Sequence, residues 1–145
     1  MKNVAIALIL FLCGQAGAQN WKSDLNTAIK EAAAAKKKVL LFFSVPEHCD
    51  SCAKLERNVF STDEFNAYAN ANYVLVKIDF LHQSENLSEE MKQKNLLIVE
   101  KYNKDGFFPY VVILNKEAKI VGKTGAYKNE TTREFLLVLE SLNKV

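Results

Sequence analysis

The sequence predicts an α/β sandwich in which helices flank a central mixed sheet of four strands. Segments with the apolar patterns of strands are interleaved with segments whose apolar residues recur at helical spacing. The chain has 145 residues, 49% of them hydrophobic, which is enough to bury one core of its own. Because strands alternate with helices until a final pair of strands, we expect parallel pairing through right-handed crossovers and a closing antiparallel hairpin.

The first half of the chain predicts three helices and two strands. A continuous apolar run over residues 39–45 is typical of a central strand that is buried on both faces. Residues 73–79 alternate in the manner of a strand with two different faces. The predicted helices span residues 21–36 with Ser23 as N-cap, 49–60, and 61–69, and a fifth strand near residues 19–21 is too brief to assign.

The second half predicts a long helix, a hairpin and a terminal helix. Ser88 opens a helix that runs to about Tyr102, with acids in its first turn and lysines later. Residues 131–134 have the pattern of a capping box for the last helix. The remaining predicted features are a turn at Asp105-Gly106, strands over residues 110–114 and 119–121, and Gly122 and Gly125 at the end of the hairpin.

The N-terminus has the pattern of a cleaved signal peptide. A positive start precedes the apolar residues 4–12 and then Ala16-Gly17-Ala18, the small-x-small pattern that signal peptidase reads. The apolar stretch is shorter than the roughly 20 residues that a membrane-spanning helix needs. The bulky residue before Cys13 disfavours a lipid anchor there. We therefore expect removal of residues 1–18, which leaves residues 19–145 as one exported domain, periplasmic or secreted.

Charge argues against one class of partner. The net charge is +2 and both signs are interspersed, so nothing in the composition favours nucleic acid. The one basic cluster, Lys36-Lys37-Lys38, is typical of a solvated helix end. We expect a monomer that needs no cofactor.

The chemistry of the chain is concentrated in Cys49-Asp50-Ser51-Cys52. Two cysteines separated by two residues at a strand-to-helix junction are typical of a thiol–disulfide redox centre. The helix N-terminus favours a thiolate at Cys49, which we expect to attack, while Cys52 resolves the mixed disulfide. Removal of the signal leaves only this pair in an oxidising compartment, and its loop is too short to restrain the unfolded chain much.

Four nearby residues are candidates for tuning the redox centre. An imidazolium at His48 would lower the pKa of the neighbouring thiol, although a surface histidine without that contact is equally consistent with the sequence. Asp50 acts in the opposite direction, and Ser51 completes the segment between the cysteines. Glu56, one turn beyond Cys52, is either a proton acceptor for the resolving thiol or, as we favour, a solvated helix residue.

A zinc site is the alternative use of the cysteines. Zinc needs about four ligands, and a Cys2His2 set would require both His48 and His82. His48 is adjacent to Cys49 and His82 lies in a distant polar loop, so disulfide chemistry is favoured. Pro109, at the start of a predicted strand, lacks a ladder donor, and the sequence alone leaves its isomer open.

Four stretches of the chain resemble the thioredoxin superfamily. They are residues 39–44, the Cys49–Cys52 motif, residues 76–79, and the segment from Tyr102 through Phe108-Pro109 to Leu114. The resemblance covers about residues 21–142. The most similar subgroup is the exported thioredoxin-like proteins related to the C-terminal domain of DsbD, in which Glu and then Val-Phe follow the cysteines, as Glu56 and Val59-Phe60 do here.

The resemblance implies a thioredoxin-like three-layer sandwich and dithiol chemistry on protein disulfides. It also implies that Pro109 is a cis-proline facing the disulfide and that the backbone of Phe108 pairs with a bound substrate segment. The chain departs from thioredoxins proper at His48, where they carry Trp, and at Asp50-Ser51, where they carry Gly-Pro. No acid occurs in residues 41–43, so a proton acceptor for Cys52 must come from elsewhere.

Three functions are compatible with these features. The leading hypothesis is an exported oxidoreductase that reduces or isomerises client disulfides, or relays electrons from a membrane donor. The second is a disulfide-forming oxidant. The third is a non-catalytic module that holds a peptide in the groove beside Phe108-Pro109.

Overall fold

The computed structural model describes residues 20–80 and 87–144. In that part of the chain five α-helices, one π-helix and four strands alternate. In order they are α1 (Leu25–Ala34), β1 (Lys38–Ser44), α2 (Asp50–Leu55), the π-helix (Glu56–Phe60), α3 (Asp63–Asn72), β2 (Tyr73–Asp79), α4 (Glu89–Tyr102), β3 (Tyr110–Leu114), β4 (Ile120–Gly125) and α5 (Thr132–Asn143). No helix within the described ranges is long and apolar enough to cross a membrane.

The four strands form one mixed sheet in the order β2-β1-β3-β4. β1 runs parallel to β2, whereas β3 is antiparallel to both of its neighbours. The expectation of parallel pairing was therefore right for β1 and β2 and wrong for β3. The pattern of a helix between two strands does not determine the direction of the second strand. Here the chain between Phe80 and Pro109 brings the start of β3 to the same end of the sheet at which β2 ends, so β3 runs in the opposite direction.

Helices cover both faces of the sheet, which confirms the three-layer sandwich. One face packs Leu40 and Phe42 against α2, the π-helix, α3 and α5. The other packs Leu41 and Phe43 against α1 and α4. Side chains alternate between the faces because successive residues of a strand point to opposite sides.

The first helix is shorter than predicted, because it begins at Leu25 rather than near Trp21. Its N-cap is Asp24, whose Oδ1 accepts the Thr27 N–H at 2.7 Å, and not Ser23. Trp21 is instead half-buried and packs against the core, with its ring centroid 5.9 Å from that of Phe42. The brief strand suspected near residues 19–21 is a single parallel bridge between Lys22 and Val76.

The helix predicted over residues 49–60 is two elements. α2 ends at Leu55 and a π-helix follows, closed by Ser61, whose N–H and Oγ both donate to the Glu56 carbonyl at 2.8 Å. The wider turn lets the consecutive residues Val59 and Phe60 both enter the core. α3 then begins at Asp63, with Thr62 as its N-cap, and continues to Asn72, three residues beyond the predicted end.

The C-terminal hairpin is longer than the sequence indicated. β4 spans Ile120–Gly125, so Gly125 is its last residue, as predicted, whereas Gly122 lies within the strand. A Cβ on Gly122 would stand 2.8 Å from the Leu142 Cβ, which explains why a glycine is required where α5 crosses β4. The predicted capping box is confirmed by reciprocal hydrogen bonds between Thr131 and Glu134.

Candidate functional site

The two cysteines follow the C-terminal end of β1, a central strand of the sheet. Cys49 is the N-cap of α2, and its Sγ accepts the backbone N–H of Cys52 at 3.2 Å. The two residues are joined by a disulfide with an S–S distance of 2.08 Å. The chain thus brings its predicted pair together at a helix N-terminus, where backbone N–H groups and the helix dipole favour negative charge.

The two sulfurs differ in access. Cys49 is half-buried, whereas Cys52 is only 1% exposed and packs into the core beneath α2. An incoming thiol can therefore reach Cys49 and not Cys52. Ser51 adds a second polar neighbour to the accessible sulfur, since its Oγ lies 3.5 Å from Cys49 Sγ.

The charged residues of the motif face solvent. His48 and Asp50 are both exposed, and the His48 backbone N–H donates to the Val45 carbonyl at 3.5 Å. Asp50 occupies the first turn of α2, where a carboxylate interacts favourably with the helix dipole. A residue that can carry positive charge thus directly precedes the accessible cysteine, and a carboxylate directly follows it.

Glu56 forms an ion pair with Lys77 on the α2 face of the sheet, and its side chain remains 37% exposed. Lys77 Nζ lies 3.0 Å from Glu56 Oε2 and 3.4 Å from Asp79 Oδ1. Lys77 also stands over the Phe42 ring, 6.0 Å from its centroid. Lys77 and Asp79 share this face because they alternate with Ile78, which enters the opposite core.

Asp79 was not identified from the sequence. Burial raises the pKa of its carboxyl, an effect that the neighbouring Lys77 only partly offsets. Its Oδ1 is buried without a hydrogen bond, so the 3.4 Å contact with Lys77 is an ion pair of poor alignment. Asp79 pairs in register with Ser44, the last residue of β1, whose Oγ is also buried and unpartnered. The sequence did offer one indication of its role, because Asp79 is the last residue of a strand that ends at the same end of the sheet as β1, from which the chain continues to the cysteines.

The peptide bond between Phe108 and Pro109 is cis. Tyr110 pairs in register with Phe43, so the cis bond lies near the C-terminal end of β1, after which the chain continues to the cysteines. Phe108 and Cys49 both pack against the core cluster beneath α2. The structure therefore assembles the two segments that the sequence singled out, although they are far apart along the chain.

A buried asparagine, also missed from the sequence, fixes the segment before Pro109. Asn103 is 3% exposed; its Oδ1 accepts the Phe107 N–H at 3.0 Å and its Nδ2 donates to the Phe107 carbonyl at 2.8 Å. Gly106, with φ of +68°, supplies the left-handed residue that this tight turn requires. The Phe108 ring stacks on Phe80 with centroids 5.8 Å apart.

The zinc alternative finds no additional ligands nearby. Across residues 20–80 and 87–144, no group of three or more His, Cys, Asp or Glu side chains is arranged to hold a metal ion. His82, the fourth member of the Cys2His2 set considered above, lies outside the described residues.

Comparison with known proteins gives a family match and two similar curated sequences. A family model described as a thioredoxin-like domain matches residues 25–140. The disulfide bond reductase DsbH of Chlamydia pneumoniae is 29% identical over 105 residues, which are 72% of this chain and 61% of that protein. The thioredoxin-related protein DsbJ of the same organism is 25% identical over 111 residues, 77% of this chain and 31% of DsbJ. The chain spans less than two thirds of either relative.

Solved structures show the same fold. A DsbH oxidoreductase superposes with a TM-score of 0.80 at 23% identity, covering 89% of this chain and 87% of that one. The C-terminal domain of DsbD from Neisseria meningitidis, in its oxidised form, gives 0.58 at 14% identity, with 80% and 90% covered. From the family match and this shared architecture we conclude that the chain belongs to the thioredoxin-like domain family.

Proposed function

We propose that the protein is an exported thiol–disulfide oxidoreductase that reduces disulfides in client proteins or relays electrons to them. The observation that carries the proposal is the Cys49–Cys52 pair, which has one accessible and one buried sulfur at the start of α2. Similarity to DsbH, a disulfide bond reductase, supports the proposed direction of electron flow.

The reaction needs only the two cysteines and a client disulfide. The Cys49 thiolate attacks one client sulfur, so that a Cys49–client bond forms as the client S–S bond breaks and the released sulfur takes up a proton. The Cys52 thiol then loses its proton and attacks Cys49 Sγ. The Cys49–Cys52 disulfide forms, the second client sulfur leaves as a thiol, and the client has gained two electrons. A second dithiol, such as that of a membrane donor, restores the pair.

Local polar groups set the reactivity of Cys49 in this scheme. The Cys52 N–H and the Ser51 hydroxyl lie within hydrogen-bonding reach of the Cys49 sulfur and stabilise its thiolate. His48 adds to this effect when protonated, and Asp50 opposes it. Glu56 acts less directly, through the ion pair that it forms with Lys77 on the face that α2 covers.

We propose that the segment at Phe108-Pro109 binds the client. This segment lies near the end of β1 and packs against the same core cluster as the cysteines, so its Phe108 backbone can pair with an extended client segment. The remaining parts of the proposal concern location and assembly: removal of residues 1–18, export of residues 19–145 and action as a monomer. The removal and the export rest on the signal-like N-terminus, which lies outside the described residues.

The deciding experiment measures the reduction potential of the Cys49–Cys52 couple in residues 19–145 by equilibration with defined thiol buffers. A reductase is expected near the thioredoxin value of about −270 mV. A value between about −180 and −120 mV would identify an oxidant or isomerase instead. The absence of a reversible couple would leave only the peptide-binding alternative.

Turnover on a client disulfide completes the test. The reduced protein is expected to reduce an accessible protein disulfide in a dithiothreitol-coupled assay, whereas the Cys49→Ser variant is inactive. The Cys52→Ser variant is expected to accumulate a mixed disulfide through Cys49, because no resolving thiol remains. Release of the client at the wild-type rate by Cys52→Ser would contradict the assigned order of attack.

A further inference from the structure

We propose that Phe107 is a specificity-determining residue for the client, that Asn103 is its positioning residue, and that together they select segments with an aromatic or large aliphatic side chain beside the attacked cysteine. The inference deepens the proposed disulfide exchange and rests on it. It follows from the way in which the segment before Pro109 is held.

Asn103 takes both backbone groups of Phe107. The Phe107 N–H donates to Asn103 Oδ1 and its carbonyl accepts from Asn103 Nδ2, at 3.0 and 2.8 Å. A buried carboxamide that makes both bonds holds the residue in one orientation, since breaking either bond leaves a buried polar group unsatisfied. The Phe107 N–H is thus used by Asn103 and its carbonyl already accepts one bond, so we infer that Phe107 meets a client mainly through its side chain.

That side chain is presented to solvent. Phe107 is 57% exposed, the most exposed phenylalanine among the described residues, and its ring centroid lies 6.0 Å from that of Tyr110. The backbone of Phe108, the next residue, is the proposed pairing site, so the Phe107 ring stands one position from the client backbone. It differs from an isolated exposed apolar residue, which needs no explanation, because it lies two residues before the cis-proline in the segment that Asn103 holds.

The surrounding chemistry favours an apolar client side chain over a charged one. Lys104 and Asp105, both exposed in the same turn, carry opposite charges and add no net charge that would attract a charged client residue. The neighbouring rings are those of Tyr110, which contacts Phe107, and of Phe108, which stacks on Phe80. Aromatic pairs in offset or edge-to-face contact add to the free energy of burial, so a client aromatic residue fits this surface best.

The test compares two peptides that differ at one position. Each contains a cysteine in a mixed disulfide with glutathione, and the residue next to that cysteine is Phe in one peptide and Ser in the other. Second-order rate constants for thiol exchange with reduced wild-type protein are measured by acid quench and chromatography. We expect the Phe peptide to react about tenfold faster, the size of effect typical of one well-buried aromatic contact at an interface.

Two variants separate contact from positioning. Phe107→Ser is expected to slow the Phe peptide about tenfold and to leave the Ser peptide within about twofold, which abolishes the selectivity. Asn103→Asp keeps an acceptor for the Phe107 N–H but loses the donor to its carbonyl, and we expect it to reduce the selectivity ratio at an unchanged reduction potential. Leu137→Ser on α5, where Leu137 is also 57% exposed, is the matched control and is expected to change neither rate.

The outcomes distinguish the inference from the function beneath it. Equal rates for the two peptides with the wild-type protein, or an equal loss on both peptides in Phe107→Ser, would overturn the inference while leaving disulfide exchange intact. An equal loss on both peptides in Asn103→Asp would make Asn103 a structural residue only. Failure of the wild-type protein to react with either peptide would remove the proposed function itself.

Discussion

The sulfur of Cys49 combines two properties that usually oppose each other, since it is open to solvent and yet surrounded by donors. The Cys52 N–H at 3.2 Å and the Ser51 hydroxyl at 3.5 Å both belong to α2 or its first turn, so they are fixed before any client arrives. Preorganised donors stabilise developing negative charge without a reorganisation cost. The helix start thus favours the thiolate form of Cys49 once the pair has been reduced.

Asp79 gives a prediction about pH. Burial raises the pKa of Asp79 in the folded protein above its ordinary value of 3.8, so between these two values the folded state binds more protons than the unfolded state. The charged carboxyl therefore lowers stability as pH rises through that interval. We expect Asp79→Asn to have a higher Tm than the wild type at pH 7, with a difference that shrinks as the pH falls toward 4.

The control for this prediction is Asp105→Asn, which replaces an exposed acid and is expected to change Tm little at pH 7. A lower Tm for Asp79→Asn at pH 7 would mean that the ion pair with Lys77 outweighs the burial of the carboxylate. Thermal unfolding of all three proteins between pH 4 and pH 8 decides between these outcomes.

Local spacing was sufficient to identify some site residues and insufficient for others. Cys49 and Cys52 are recognisable because both the motif and its position after an apolar run lie in one short stretch of sequence. Asn103 and Asp79 are not, because the role of each depends on what a distant or following segment places against it. An asparagine at a helix end is ordinary until a turn brings Phe107 back onto its carboxamide.

At the scale of elements, helix starts are decided by hydrogen bonds that sequence patterns only approximate. The sequence predicted Ser23 as the N-cap, but the adjacent Asp24, a residue type equally suited to the role, caps the helix instead. The π-helix was also beyond prediction, because it arises where the core accepts Val59 and Phe60 together. The strands over residues 73–79 and 110–114 were predicted to the residue, since their apolar runs coincide with the paired segments.

The start of α1 can be tested by substitution. Asp24→Ala is expected to lower the free energy of unfolding by about 1 kcal/mol, because it removes the acceptor of the Thr27 N–H. That bond also holds the pKa of Asp24 below its ordinary value, so its stabilising effect is present at neutral pH and is lost as pH falls through the lowered pKa. Urea unfolding at pH 7 provides the measurement.

Ser23→Ala is the matched control for the cap. It is expected to change the free energy of unfolding by less than about 0.5 kcal/mol, as surface substitutions away from caps usually do. A larger loss in Ser23→Ala than in Asp24→Ala would restore the capping role that the sequence first indicated.

For the whole molecule, the disulfide contributes little to the support of the fold. The core of each sheet face is made by strands and helices that do not depend on the Cys49–Cys52 link. A bridge that closes so short a loop removes little entropy from the unfolded chain, worth about 2 kcal/mol at most. We expect reduction to lower the free energy of unfolding by no more than this amount, as measured by urea unfolding with and without dithiothreitol.

A variant with Cys49→Ala and Cys52→Ala serves as the reference, because its unfolding is expected to be the same with and without the reductant. Collapse of the native state on reduction, or a loss well above about 2 kcal/mol, would show that the pair is a structural staple. Retention of a stable reduced fold is what a protein that cycles between the two states requires.

The register that pairs Phe43 with Tyr110 determines when, during folding, the proposed site is assembled. The cysteines follow one of these strands and the Asn103-held turn precedes the other, so the two halves of the site meet only after β1 and β3 have paired. Under the proposed function, discrimination among clients is therefore a property of the completed tertiary structure rather than of the motif alone, and its onset during folding would report that β1 and β3 have reached their native alignment.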